Sequence, residues 1–304
     1  MSTVIEDLAK YGPQTSGPPV SLPEAEAYCR RLAVGHYENF PVASWLVPAP
    51  LRQHFYNVYA FCRWSDDLGD ETGDPVRSLI LLDWWRTELA RCYTGEVRHP
   101  VFVALRPTIE RFGIPEGPFA DLISAFEQDQ RQTRYETFAE LENYCQRSAN
   151  PVGRIVLFLM EQNQGEQVQW SDAICTGLQL ANFWQDVSRD LEIGRVYLPQ
   201  EDLRRFAYSE EELAARTFDD RFRDLMIFQI ERTRSYFDAG QELPRRLPGR
   251  IGLEIGVVLA GGRVILREIE RIDYNVLRTR PTVSKGQLLR AGWQLFWQRT
   301  FGKK

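Results

Sequence analysis

Apolar residues recur with helical spacing along most of this chain, and no stretch of useful length alternates between apolar and polar positions. Helical spacing predicts amphipathic helices, whereas alternation would have indicated strands. The pattern and its Gly and Pro interruptions predict ten helices. Their approximate ranges are 21–33, 50–72, 76–95, 119–132, 137–150, 171–194, a short helix that begins at 209, 219–239, 251–272, and a last helix that begins at 284. We therefore predict an all-α, single-domain protein.

Local signals set several of these helix ends. Ser21 with Glu24, and Thr137 with Glu140, have the spacing of a capping box, which satisfies backbone donors in the first helical turn. Pro151 disfavours helical geometry at the residue before it, so we expect an interrupted helix at that point.

The boundaries of the central helix and of the domain follow from the same kind of signal. Ser171 and Asp172 are the predicted N-terminal cap of the central helix, and Gly194 is its predicted C-terminal stop. Residues 1–20 are rich in Gly and Pro, so we expect a loose lead-in before a domain over 21–304.

A polar stripe runs along the predicted central helix. Gln179, Asn182, Asp186 and Asp190 lie at positions i, i+3, i+7 and i+11, so a helix places them on one face. The other faces are largely apolar and sufficient to bury the segment. Two carboxylates and two amides on such a helix indicate a specific binding partner.

A second polar stripe lies on the long helix predicted from residue 50. Tyr59, Arg63, Asp66, Asp67 and Asp70 fall at i, i+4, i+7, i+8 and i+11, again along one face. Their flanks are apolar and aromatic. The chain therefore carries two acidic faces of similar design on two different helices.

The chemistry that fits both stripes is the binding of a hard cation. Neighbouring carboxylates repel each other by roughly 0.2–0.5 kcal/mol on an isolated helix, and by more where a cavity excludes water. Carboxylate and amide oxygens without nearby His or Cys favour Mg²⁺, which usually takes one or two carboxylates plus substrate phosphates. We therefore predict Mg²⁺ as the cofactor.

Composition narrows the class of protein. Of the 304 residues, 43% are hydrophobic and 26% are charged, as in soluble globular proteins. The formal net charge of −5 and the lack of a Lys/Arg block argue against nucleic acid as a partner. We see no membrane span and no signal peptide. The five scattered cysteines predict reduced thiols and a cytoplasmic location, with peripheral contact to the inner face of the membrane left open.

Other chemistries have little support in the sequence. His36, His54 and His99 do not have the spacing of zinc ligands. A phosphate-binding loop and the G-x-S-x-G elbow of hydrolases are both absent. A solvated surface is the ordinary explanation of one acidic face, but two such faces with apolar flanks favour a binding site.

The residues of these stripes also resemble a known family. The motifs are Y-A-F-C-R-W-S-D-D-L-G-D at 59–70, Y-C-Q-R-S-A-N-P-V-G at 144–153 and Q-L-A-N-F-W-Q-D-V-S-R-D-L-E-I-G-R-V-Y-L-P at 179–199. With the spacing between them, the chain resembles the squalene/phytoene synthase family of trans-isoprenyl-diphosphate enzymes over nearly its whole length. The resemblance implies a catalytic domain over 21–304, folded as an isoprenoid-synthase-type helical bundle with a central cavity.

The resemblance also implies roles for individual residues. The catalytic set would be Tyr59, Asp66, Asp70, Asp186 and Asp190, and the Mg²⁺ ligands would be the four aspartates with Asn182. The substrate-binding set would comprise Asn39, Phe40, Arg63, Tyr144, Asn150, Gln179, Asn182, Gln185, Arg189 and Tyr197. In such enzymes metal ions neutralise a diphosphate as it leaves, and apolar and aromatic walls enclose the resulting carbocation.

Several positions depart from the usual family pattern. Asn39 stands for Ser, Asn150-Pro151 stands for Gly-Thr, Gln185 stands for an Arg, and Gly262 stands for a Tyr common in the late helix. With H-Y-E-N-F-P-V-A-S at 36–44, these differences resemble the hydroxysqualene synthase branch of bacterial hopanoid pathways. Enzymes of that branch take presqualene diphosphate, release diphosphate and add water, and a separate protein then reduces the alcohol. No nicotinamide cofactor is expected.

Charge counting favours the same branch. Gln185 lacks the cation of the usual Arg and its charge-assisted hydrogen bonds, worth about 1.5–3 kcal/mol each. Such a loss is easier to accept with one diphosphate than with two. Asn39 and Asn150 add polar groups suited to holding a water near the cation.

Two alternatives stay open. One is a head-to-head synthase that makes presqualene diphosphate, squalene or phytoene from two prenyl diphosphates such as farnesyl diphosphate. The other is a non-catalytic lipid-diphosphate-binding or assembly protein, against which the four retained motif aspartates argue.

Overall fold

The computed structural model of the protein describes residues 3–15, 20–35 and 47–282. Throughout these ranges the regular structure is helical, and the one β pairing is an isolated bridge between Arg134 and Val196. The prediction of an all-α protein is therefore confirmed. In the same ranges no helix combines the length and the apolar character needed to cross a membrane.

The chain forms two compact units, Met1–Gln132 with Arg154–Asn163, and Thr133–Gly153 with Gln164–Lys304. The first unit contains α1 (Thr3–Tyr11), α2 (Leu22–Gly35), α3 (Arg52–Asp70, after a 3₁₀ turn at Ala49–Leu51), α4 (Pro75–Thr94), α5 (Pro100–Phe112) and α6 (Glu116–Asp129). Helix α8 (Asn150–Leu159) contributes its first residues to the second unit and the remainder to the first.

The second unit contains α7 (Phe138–Ser148), α9 (Glu166–Glu192), α10 (Gln200–Arg205), α11 (Glu210–Ala214), α12 (Asp220–Gly240), α13 (Leu243–Arg246) and α14 (Gly249–Arg271). Helix α9 is its longest element and packs against α7, α12 and α14. Each acidic stripe thus lies on the helix with the most helical neighbours in its own unit, α3 in the first and α9 in the second.

Aromatic packing fixes the rotation of α3 in the first unit. Trp64 stacks on Trp85 of α4 with ring centroids 5.2 Å apart. The Trp64 indole N–H donates to Tyr28 Oη over 3.0 Å, and that of Trp85 donates to Ser65 Oγ over 3.0 Å. Because Trp64 and Ser65 hold one side of α3 in the core, the opposite side of the helix remains available for polar residues.

A tryptophan fixes the rotation of α9 in the same way. The Trp184 indole N–H donates to Thr233 Oγ1 of α12 over 2.8 Å, and both residues are fully buried. Gly177 lies on the same side of α9 and allows the ring of Phe237 to approach. The face of α9 that carries the polar stripe therefore points away from α12.

Two sequence predictions about helix starts are wrong. The lead-in expected over 1–20 contains helix α1 (Thr3–Tyr11), so its first half is regular. Ser171 and Asp172 do not cap the central helix, because α9 begins at Glu166 after Gly165. Ser171 is instead buried inside α9, facing Gly153. Helix α5 was not separately predicted, and the helix expected from residue 284 lies outside the described residues.

Other predicted boundaries are confirmed. Thr137 Oγ1 accepts from the Glu140 N–H over 3.3 Å at the start of α7. The predicted interruption is present, but it lies at Ala149, and Asn150 is already the first residue of α8. Gly194 adopts a φ of +75°, a left-handed conformation that suits glycine, just after α9 ends.

Gly262 is expected to tolerate no side chain. A Cβ at this position would lie 2.5 Å from Cζ of the fully buried Phe237. We therefore expect Gly262→Ala to lower the free energy of unfolding by about 1–3 kcal/mol through overpacking. Gly117→Ala is the control, because a Cβ there meets nothing within 4 Å and alanine favours a helix by about 1 kcal/mol. Urea titrations of both variants measure the difference, and a Gly262→Ala protein as stable as wild type would contradict the packing.

Candidate active site

The α3 set consists of Tyr59, Arg63, Asp66 and Asp70. Asp66 has 44% of its side chain exposed, and Asp70 is an exposed residue at the end of the helix. Burial, followed by the negative charge of Asp70, raises the pKa of Asp66 to about 6. Among the described residues, this carboxyl has only Arg63 as a nearby cation, with 3.7 Å between Arg63 Nη1 and Asp66 Oδ2. The α3 set is therefore short of positive charge.

Arg63 is held by Asp67. Arg63 Nη2 lies 2.6 Å from Asp67 Oδ1, and the Asp67 side chain is only 2% exposed. The sequence placed Asp67 on the polar stripe, whereas the structure buries it as the anchor of Arg63. Arg63 Nε is also buried and has no hydrogen-bond acceptor among the described residues.

Tyr59 completes the α3 set one helical turn before Arg63. Its side chain is buried, and that burial is the main cause that raises the pKa of its phenol. The nearby Asp66 and Asp67 carboxylates act in the same direction, and the charge of Arg63 opposes them. Tyr59 is therefore a neutral hydrogen-bonding group at neutral pH.

The raised pKa of Asp66 predicts a pH dependence of stability. Between the ordinary value of 3.8 and about 6, the folded protein binds more protons at Asp66 than the unfolded chain does. The free energy of unfolding therefore falls as pH rises through this window. We expect Asp66→Asn to remove this pH dependence of the free energy of unfolding, measured by urea titrations at several pH values with a chelator present. The exposed Asp83→Asn on α4 is the control, and an unchanged slope for Asp66→Asn would refute the assignment.

The α9 set consists of Gln179, Asn182, Asp186 and Asp190. Asp186 is 25% exposed and is bound by one edge of the Arg280 guanidinium, with Nε donating to Oδ1 and Nη2 donating to Oδ2 over 3.1 Å. Arg189 Nε adds a longer contact to Asp186 Oδ1 at 3.9 Å. Unlike Asp66, this carboxylate already has its counter-ion.

Gln185 contacts the backbone of the segment that also carries Arg280. It is buried, and its Nε2 donates to the carbonyl of Pro281 over 2.7 Å. Arg280 and Pro281 follow α14 in the chain and lie 94 or more residues from their α9 partners. The amide of Gln185 is therefore occupied by the protein itself.

An aromatic cluster adjoins Asp190. Phe183 stacks on Tyr197 with ring centroids 3.9 Å apart, and both line a cavity of about 10 Å³ together with Asp190. Tyr144 packs against both rings at 6.1 Å, and Tyr135 stacks on Tyr197 at 5.8 Å. The structure thus brings the predicted residues Tyr144 and Tyr197 together beside the second acidic helix.

Asn150 is committed to a buried hydrogen bond. Its Oδ1 accepts from Thr176 Oγ1 over 2.9 Å, and both residues are buried. Gly153 lies one turn further along α8, where a Cβ would be 2.5 Å from Cys175 Sγ. The Asn150-Pro151-Val152-Gly153 run therefore has a structural function in packing α8 onto α9. Gln179 is half-buried and Asn182 is exposed on the stripe.

Two predicted residues, Asn39 and Phe40, lie outside the described residues. A cavity of about 1060 Å³ lies in the first unit, lined by α1, α2, α4 and the start of α5, including Tyr11, Tyr28 and His99. None of the predicted site residues lines it. We therefore do not assign it to the substrate.

The two sets fit Mg²⁺ on donor chemistry. Both present carboxylate oxygens. Burial and then the negative charge of Asp70 raise the pKa of Asp66, and a divalent cation would stabilise its charged form. Within the described ranges, no group of three or more His, Cys, Asp or Glu is arranged to hold a metal ion without other ligands. Mg²⁺ bound by one or two carboxylates and completed by substrate phosphates meets this limit.

Sequence reasoning missed Arg280 and the role of Asp67. Arg280 belongs to no motif, and only the fold brings it to Asp186. Asp67 was visible in the sequence, but its i, i+4 spacing from Arg63 is the signal that identifies it as a partner rather than as a ligand.

Comparison with known proteins gives a consistent answer. The squalene/phytoene synthase family profile matches residues 33–287. The 15-cis-phytoene synthase of Synechocystis sp. is 34% identical over 94% of this chain and 89% of its own length. That of Synechococcus elongatus is 34% identical over 86% of this chain and 89% of its own.

Solved structures show the same fold. Squalene synthase HpnC from Alicyclobacillus acidocaldarius is 43% identical, with a TM-score of 0.80 over 85% of this chain and 97% of that one. A ligand-bound dehydrosqualene synthase has a TM-score of 0.82 over 92% of this chain and 98% of that one. At 23% identity the latter supports the fold alone.

The fold is thus of the isoprenoid-synthase type. Together with the two acidic helices, it places the chain in the class of prenyl-diphosphate enzymes. Within this class the chain belongs to the squalene/phytoene synthase family. It is a head-to-head prenyl-transferase-type enzyme, and its family acts on prenyl diphosphates with the help of a divalent metal ion.

Proposed function

We propose that this enzyme converts presqualene diphosphate to hydroxysqualene, releasing diphosphate and adding water, with Mg²⁺ as cofactor. The observation that carries the proposal is Gln185, which stands for the family's usual Arg and whose amide binds the carbonyl of Pro281. Gln185 therefore supplies no positive charge that could bind a second diphosphate. The departures at Asn39, Asn150-Pro151 and Gly262 support the same branch.

In the proposed reaction the α3 set and the α9 set are both diphosphate-binding sets. Bound Mg²⁺ would supply the positive charge that lets the carbon–oxygen bond ionise. Asp66, Asp70, Asp186 and Asp190, with Asn182, are the proposed metal ligands. Arg63, whose side chain is partly exposed, and the exposed Arg189 are suited to bind diphosphate oxygens.

The aromatic cluster has a role in the second half of the reaction. Phe183 and Tyr197 lie beside Asp190 and stack on each other, and Tyr135 stacks on Tyr197, so the cluster is a packed aromatic wall. We propose that this wall and Tyr144 exclude bulk water from the carbocation until one water adds, and that Tyr59 orients the diphosphate. The added water then loses its proton to the released diphosphate, which leaves the neutral alcohol.

A second candidate reaction is head-to-head condensation of two prenyl diphosphates. The observation that favours it is the identity of 34% to 15-cis-phytoene synthases over most of both chains. The 43% identity to squalene synthase HpnC points the same way, because a squalene synthase joins two prenyl diphosphates. What stands against condensation is the departure at Gln185. The non-catalytic alternative has no such support, because all four motif aspartates are present.

Parallel incubations separate the two candidates. Purified protein with Mg²⁺ receives either presqualene diphosphate or farnesyl diphosphate, with and without NADPH, and products are identified by mass spectrometry. We expect an alcohol from presqualene diphosphate that needs Mg²⁺ and is unchanged by NADPH. Squalene formed only with NADPH would place the enzyme among reductive synthases, and phytoene or dehydrosqualene would favour condensation.

The product also implies a neighbouring reaction. An enzyme that ends with water capture requires a separate reductase to reach a hydrocarbon, so we propose a reductase as the pathway partner. We further propose a cytoplasmic enzyme with peripheral contact to the membrane that receives the apolar product.

A further inference from the structure

Asp186, a proposed metal ligand, has a bidentate arginine partner. Arg280 reaches it from the segment after α14, and its side chain is 30% exposed. Both edges of the Asp186 carboxylate are thereby covered. A guanidinium in this position occupies the oxygens that a metal ion would need.

The segment that carries Arg280 is anchored at the next residue. The carbonyl of Pro281 accepts from Gln185 Nε2 over 2.7 Å, and Gln185 is buried. Gln185 and Asp186 are adjacent in α9, and their partners Arg280 and Pro281 are adjacent in the chain. The two contacts therefore form a clamp, in which one hydrogen bond fixes the backbone and one ion pair covers the carboxylate.

We propose that Gln185 is a positioning residue for Arg280, and that Arg280 is a counter-ion which a metal ion must displace from Asp186. This inference rests on the proposed function, in which Asp186 is a metal ligand. The buried amide of Gln185 keeps Arg280 close enough to return when the metal leaves.

Competition of this kind weakens the apparent metal affinity. When the competent state is populated only part of the time, the apparent dissociation constant rises by the inverse of that fraction. If Arg280 covers Asp186 about 90% of the time, the apparent Kd is about tenfold higher than the intrinsic value. Removing the Arg280 side chain should therefore lower the apparent Kd by the full factor, and removing the Gln185 hydrogen bond should lower it by part of that factor.

The test measures metal binding in the presence of inorganic diphosphate, which supplies the phosphate oxygens that complete the site, and a protein-free blank corrects for metal bound by diphosphate alone. Mn²⁺ is the probe, because it favours the same oxygen ligands as Mg²⁺ and its free fraction is read by electron paramagnetic resonance. We expect Arg280→Gln to lower the apparent Kd about tenfold and Gln185→Leu to lower it about threefold. Arg280→Lys keeps the charge but loses the bidentate geometry, so its Kd should lie between wild type and Arg280→Gln.

A matched control removes the same charge nearby. Arg278 is exposed and has no ion pair among the described contacts, so Arg278→Gln should leave the Kd within about twofold of wild type. An equal gain in Arg278→Gln and Arg280→Gln would reduce the effect to general electrostatics and overturn the inference. So would an unchanged Kd in Arg280→Gln.

Asp186→Asn separates this inference from the proposed function. If Asp186→Asn weakens Mn²⁺ binding but Arg280→Gln does not strengthen it, Asp186 is a ligand and only the counter-ion inference fails. If Asp186→Asn binds Mn²⁺ as wild type does, the proposed metal site and the inference both fail.

Discussion

Asp66→Asn and Asp186→Asn are each expected to reduce turnover by at least about a thousandfold while the protein stays folded. A metal ion at a departing diphosphate contributes several kcal/mol to the transition state, and about 4 kcal/mol corresponds to a factor of about a thousand. Steady-state assays with saturating Mg²⁺ measure the loss. Thermal unfolding of the same samples establishes that the fold remains.

The two substitutions differ in their expected effect on stability. Asp66→Asn relieves repulsion from Asp70, so its melting temperature should equal or exceed that of wild type above pH 6. Asp186→Asn removes the partner of Arg280, which for a partly exposed pair costs about 0–1 kcal/mol. Asp66 is therefore the cleaner test of a functional carboxylate.

A matched substitution guards against a general effect of charge. Asp83 is exposed on α4, and Asp83→Asn should retain full turnover. Turnover within a few-fold of wild type in both Asp66→Asn and Asp186→Asn would make the acidic faces ordinary helix surfaces. A large loss of stability in Asp66→Asn would instead indicate a structural role.

The second large effect concerns the choice of substrate. Presqualene diphosphate should be consumed at least about ten- to a hundredfold faster than farnesyl diphosphate, because one missing charge-assisted contact at Gln185 is worth about 1.5–3 kcal/mol. Gln185→Arg should narrow this ratio by improving the use of farnesyl diphosphate. It also breaks the hydrogen bond to Pro281, so Gln185→Leu is the control for that loss. If Gln185→Arg and Gln185→Leu give the same ratio as wild type, the charge-count argument is wrong.

Much of the local structure was predictable because its causes are local. The spacing of Asp66 and Asp70, and of Asp186 and Asp190, fixes a shared helical face whatever surrounds it. Thr137 marks the start of α7 and Pro151 marks a break, because capping and proline geometry act within one helical turn.

The remainder depended on contacts distant in sequence. Ser171 has the chemistry of a cap, but packing against Gly153 keeps it inside α9. Asp67 looks like a stripe residue until the core of the first unit buries it against Arg63. Arg280 lies 94 residues from Asp186, and no local pattern indicates that the two meet. The charge state of each acidic set therefore had to come from the structure.

Incubation of presqualene diphosphate in ¹⁸O-labelled water, with Mg²⁺ and without any reductant, tests the central claim most directly. If the carbocation is quenched by solvent, the alcohol gains one ¹⁸O atom and the released diphosphate gains none, because the carbon–oxygen bond breaks on the carbon side. We predict near-complete labelling of the alcohol. An unlabelled alcohol, a hydrocarbon product, or label in the diphosphate in place of the alcohol would contradict the account.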